Sequence, residues 1–152
     1  MGRPFDYPLE PRLEQLRWQK QRCLDALART QQVASARKDE WDALDSQCEE
    51  LARNALPASA ARVDIAARAG ALAYLTQLAA RRAEARSALQ QAKEQVDRAK
   101  DDLSSCLMAI DQLDNDRALA SQDHRREQER VAAREADRDW AATRHVRGSR
   151  GS

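Results

Sequence analysis

Aromatic side chains are scarce in this sequence, at 4% of 152 residues, and glycine and proline number only four each. So few large side chains cannot fill a globular core, and so few turn formers leave little room for loops. Long apolar runs are missing too. The longest uncharged stretch, Ala69 to Ala80, is 12 residues, whereas a membrane-spanning helix needs about 20. No membrane insertion is expected. The opening MGRPFDYPLEPR is too polar for a secretory signal, so the expected location is the cytosol.

Neither sign of charge dominates: 26 basic and 25 acidic residues leave a net +1. Nucleic-acid binders show a concentrated basic footprint, and here the signs are interspersed, so no nucleic-acid partner is expected. The three cysteines, Cys23, Cys48 and Cys106, are odd in number and far apart, and read as buried free thiols of a reducing compartment. His124 and His145 lack metal-ligand spacing. The DQLDND stretch at 111–116 lacks the glycine of a calcium loop. Neither a Gly-rich phosphate loop nor a nucleophile elbow occurs. The expectation is a non-catalytic chain without metal or cofactor.

What remains is a heptad pattern. With Leu13 as an a position, the a series is Leu13, Lys20, Leu27, Ala34, Trp41, Cys48 and Ala55; the d series is Leu9, Leu16, Cys23, Thr30, Arg37, Leu44 and Leu51. Only Lys20, Thr30 and Arg37 depart from Leu, Ala, Cys or Trp. With Leu75 as a, a second series runs through Leu75, Leu78, Arg82, Ala85, Leu89, Ala92, Val96, Ala99, Leu103, Cys106, Ile110 and Leu113, where Arg82 is the sole polar member. Patterns this regular predict an all-α, antiparallel two-helix coiled-coil hairpin. Beyond Leu113 the seam turns polar, with Arg117, His124, Glu127 and Arg134 where apolar residues are expected.

The break between the two series is NALPASAA. Pro57 disfavours helical geometry at Leu56, and Ser59 suits an N-cap. The expected plan is an extended arm over 1–8, helix 1 over 9–55, a tip at 56–60, helix 2 over 61–145 and a disordered tail over 146–152. Gly70 is a softer interruption where helix 2 could kink. Pairing about the tip puts Cys106 opposite Glu10, Cys23 opposite Ala92, Trp41 near Leu75 and Leu27 facing Leu89. Residues from about 107 onward then form a C-terminal helical overhang without a partner in the chain. Removal of 117–152 is expected to spare the hairpin. The alternatives are a monomer with a free overhang and a dimer whose overhangs pair.

Apolar residues off the seam mark candidate contact surfaces. Near the tip these are Val63, Ile65, Leu72 and Tyr74. Trp18, at position f, either packs under the N-terminal arm, where Phe5, Tyr7 and Pro8 lie within reach, or meets a partner. Trp140 stands alone in a charged stretch, and a lone Trp is a common interface anchor. With Arg125, Arg126, Arg130 and Arg134 it forms a second candidate surface.

A length near 150, a Leu/Ala/Arg/Gln/Glu two-helix pattern, a tip after some 55 residues and a longer second helix together resemble the YscO/FliJ-type stalk proteins of bacterial type III secretion and flagellar export. The resemblance implies a mechanical, non-catalytic stalk similar to that of a rotary ATPase, cytoplasmic and peripheral to a membrane-bound secretion apparatus. Its implied partners are a hexameric secretion ATPase, which would receive Trp18, the overhang arginines and Trp140, and the export gate, which would meet the tip set. Secretion chaperones are implied as well. The polar seam beyond Leu113 would face ring subunits. The rival expectation is a homo-oligomeric cytosolic scaffold or tether.

Overall fold

The computed structural model describes residues 2–54 and 65–151. The fold is all-α, a helical hairpin built from α1 (Glu10–Asn54) and α2 (Ile65–Ser149). The expected tip at 56–60, with Pro57, Ser59 and Val63, lies outside the described residues. Helix α2 runs on to Ser149, four residues beyond the expected end, so most of the expected disordered tail is helical. Gly70 sits within continuous helix with open space around it. Two compact units are present: residues 1–19 with 106–152, and residues 20–105.

The heptad reading located the buried faces correctly. All twelve seam positions of α2 from Leu75 to Leu113 are buried or half-buried, and along α1 only Leu9 and Arg37 among the described seam positions are exposed. The polar exceptions have local explanations. Thr30 donates its hydroxyl hydrogen bond to the Leu27 carbonyl at 2.9 Å. Arg37 turns outward to Glu40 at 3.1 Å. Arg82 reaches Asp45 at 3.2 Å across the pair, a half-buried contact that solvent still screens and that is worth about 1 kcal/mol at most.

The axial register differs from the expected one by about one heptad. In the 20–105 unit, Trp41 lies among Ala79, Arg82, Ala83, Arg86 and Leu89, not beside Leu75, and is half-buried. In the other unit, Cys106 donates its thiol hydrogen to the Leu16 carbonyl at 3.2 Å, so Leu16 rather than Glu10 is its neighbour. A slip of one heptad leaves every seam side chain facing inward, so the pattern of apolar residues cannot choose between the two registers. All three cysteines are free thiols; Cys48 and Cys106 are buried and Cys23 is half-buried.

The unit formed by 1–19 and 106–152 is centred on Leu13, Leu16, Cys106 and Ile110, with Ala109 and Leu113 packed against them. Leu13 is wholly buried. Beyond the start of α1 the N-terminal arm continues along α2. Tyr7 is 5% exposed and its hydroxyl donates to Asp116 at 2.5 Å. Phe5 packs against His124 with the rings tilted by 50° and their centroids 5.7 Å apart, and a His124 ring nitrogen lies 3.0 Å from the Arg3 carbonyl oxygen. Gly2 sits against the Gln128 side chain. The expected overhang from 107 is therefore covered as far as Gln128, and every residue from 129 to 149 is exposed. A cut at 117 would remove Arg117, His124 and Gln128, and with them much of the seat of the arm.

The local sequence explains how the arm turns into the helix. The Glu10 N–H donates to the Tyr7 carbonyl at 3.1 Å, closing a turn over Pro8 and Leu9, and proline favours that second turn position because its φ is already set. Pro11 follows within the first helical turn, where its missing N–H costs no helical hydrogen bond. Leu9 accepts the first intrahelical bond from Leu13 at 3.0 Å.

The observed register separates Leu27 from Leu89, which were expected to face each other. Leu89 lies beside Trp41, and Leu27 is 14 residues back along α1, about 21 Å at 1.5 Å per residue. Leu27→Ala and Leu89→Ala should each cost roughly 2–4 kcal/mol and should add within about 0.5 kcal/mol. Leu16→Ala and Ile110→Ala share one cluster and should depart from additivity by more than that. Chemical-denaturation cycles on both pairs check the register.

Candidate partner-binding surfaces

The tip set does not form one patch. Ile65 is 81% exposed, Leu72 56% and Tyr74 53%. Ile65 and Leu72, seven residues apart, share a face, while Tyr74 falls about half a turn round from Ile65 at 100° per residue. Val63 lies outside the described residues.

The second set also divides. Trp18 is 60% exposed and does not lie beneath the arm, whose aromatic rings pack on α2 instead. Arg17, next to it, reaches Asp114 at 3.5 Å. From Asp114 to Trp140 is 26 residues, about 39 Å along the helix, so Trp18 and Trp140 belong to different surfaces. Within the exposed C-terminal turns, Arg126, Arg130 and Arg134 recur every fourth residue and form a slowly turning row. Arg125 projects about 100° away from Arg126. Arg130 approaches Glu127 at 3.9 Å, a loose and exposed pair.

Trp140 is 63% exposed, and the guanidinium of Arg144 lies 5.2 Å from its ring centroid. Arg144 was not singled out from the sequence, although the signal was there: an arginine four residues after a tryptophan on a helix lands over its ring. Trp140 and Arg144 offer an aromatic platform with a cation over it, and the arginine row lies further back along the same exposed helix. Such a surface can hold acidic and apolar groups of a partner. It carries no nucleophile–base pair, and the described residues contain no group of three or more potential metal ligands. No described helix is long and apolar enough to cross a membrane.

The polar seam beyond Leu113 has a role that the sequence reading did not foresee. Arg117 donates to Glu10 at 2.9 Å, and His124 supports the arm. These residues face the N-terminal segment of their own chain. The clasp is chemically distinctive at Tyr7, whose pKa is pushed up from 10.0 to about 12. The hydrogen bond to Asp116 is the main cause; burial and then the negative charges of Asp116 and Glu10 add to it, against the opposing charge of Arg117.

Because the folded chain holds this proton more tightly than the unfolded one, the clasp contributes fully below about pH 10 and is lost as pH rises toward 12. In a Tyr74→Phe background, tyrosinate absorbance should report the Tyr7 midpoint near 12, and Asp116→Asn should lower it. Deleting residues 2–8 should speed amide exchange over 113–128 while leaving exchange in the 20–105 unit unchanged. Hydrogen exchange followed by mass spectrometry resolves the two regions.

Comparison of the chain with protein-family models, with curated proteins and with solved structures finds no match.

Proposed function

We propose that this chain is a non-catalytic coiled-coil stalk of a bacterial type III secretion apparatus, of the YscO/FliJ type. On this reading the C-terminal turns of α2 enter a hexameric secretion ATPase, and other surfaces meet the export gate or chaperones. The observation that supports it best is the stretch from 129 to 149. About six turns of helix are exposed on every side, and they carry Trp140, Arg144 and two members of the arginine row, Arg130 and Arg134. Charge pairs at helical spacing contribute only about 0.2–0.5 kcal/mol each, so such a helix gains most of its stability where a partner covers it.

A homo-oligomeric scaffold is the second reading. Val131, 39% exposed, and Val146, 53% exposed, continue the face that the arm covers further back, and a second copy could zip onto them. Sedimentation separates the two, since a stable dimer at micromolar concentration favours the scaffold.

The decisive truncation removes 129–152 and spares the clasp. The shortened chain should melt as cooperatively as the full chain and should no longer co-sediment with a purified hexameric secretion ATPase. Equal binding by both chains would overturn the assignment of the ATPase contact to this stretch.

A further inference from the structure

Trp41 occupies a seam position of α1, and its indole nitrogen is buried without a hydrogen-bond acceptor. Two clefts open beside it in the 20–105 unit. One, of about 360 Å³, is lined by Trp41, Asp45, Ala79, Arg82, Ala83 and Arg86, and there Asp45 already accepts from Arg82. The other, of about 350 Å³, is lined by Trp41, Arg86, Leu89, Gln90 and Lys93. Arg86 and Lys93 enter no ion pair among the described residues. Apart from the Gln90 amide oxygen, the side-chain polar groups around this second cleft are donors: an indole N–H, a guanidinium, an ammonium and the Gln90 amide N–H₂. The cleft has donors to spare and lacks an anion.

We infer that this cleft is a binding site for carboxylate side chains of an acidic helical segment on a partner protein. Arg86, Gln90 and Lys93 stand at i, i+4 and i+7, so they share one face of α2 over about 10 Å. A single small anion spans only part of that row. A helix with glutamates at matching intervals spans all of it and lays its apolar stems on Leu89 and the Trp41 ring. A small rotation of the indole then brings its N–H onto an incoming carboxylate, which relieves a buried and unsatisfied donor. Two unpaired cations and one unsatisfied donor are met by the same ligand chemistry. The inference is independent of the stalk reading, and the site lies in a different unit from the exposed C-terminal turns.

The test uses the full chain in a Trp18→Phe, Trp140→Phe background, so that Trp41 alone reports. The probe is a capped, alanine-based helical peptide with glutamates at i, i+4 and i+7. Trp41 emission should change saturably with this peptide and should not respond to its glutamine counterpart or to sodium chloride at equal ionic strength. Arg86→Gln with Lys93→Gln, both at exposed positions, should weaken binding roughly tenfold or more. By calorimetry, Trp41→Phe should weaken it severalfold while leaving the melting temperature unchanged or raised, because an unsatisfied donor has been removed. No saturable change, or equal affinity in the double variant, would overturn the site. Inorganic phosphate binding as tightly as the peptide would overturn the helical partner.

Discussion

The contact on which the clasped unit depends is the layer made by Leu13, Leu16, Cys106 and Ile110. Its physics is burial of modest apolar side chains, at about 25 cal/mol per Å² withdrawn from water. Leu13 is wholly covered. This layer holds the start of α1 against α2, and the polar contacts toward the C-terminus fit only one of the registers it allows. With Cys106 against Leu16, Arg117 comes level with Glu10 and Asp116 comes within reach of Tyr7. A slip of one heptad would leave these polar partners unmatched while keeping the apolar faces together. The ion pair and the tyrosine clasp therefore discriminate between registers that the apolar contacts alone hold nearly equal.

This division of labour explains what was legible in the sequence. Which faces are buried depends only on spacing within each helix, so Leu75 through Leu113 could be assigned without knowing the partner. Register depends on differences between layers, and layers of Leu and Ala repeated every seven residues differ little. Trp41 could have served as a marker, since an indole needs small residues opposite, and Ala79 and Ala83 supply them. That requirement does not stand out in a chain so rich in alanine.

The docking of the expected arm on α2 was missed for another reason. Three prolines within eleven residues signalled an end to helix, but the alternation inside them carried further meaning. Phe5 and Tyr7 are covered while Pro4 and Asp6 are exposed, the period of two that belongs to an extended segment lying on a surface. Four residues are too few for that pattern to compete with forty of heptad. Of the candidate contacts, Trp140 and the arginine row could be placed on exposed helix from sequence. The division of the tip set and the remoteness of Trp18 needed the geometry.

Tyr7 and Asp116 are 109 positions apart in the chain, and Arg3 and His124 are 121 apart. During synthesis the arm is made before α2 and waits for more than a hundred residues before its seat exists. Once Leu13 and Leu16 have found Cys106 and Ile110, however, the loop left for the arm to close is only a few residues long, and closure entropy grows with the logarithm of that length. The docking of the arm is thus late in time yet entropically cheap. In the mature chain the same short tether lets it open and reclose locally without separating the helices behind it. The arm, made well before its seat, is the last part to settle, and it forms a latch whose motion is independent of the helix pair it fastens.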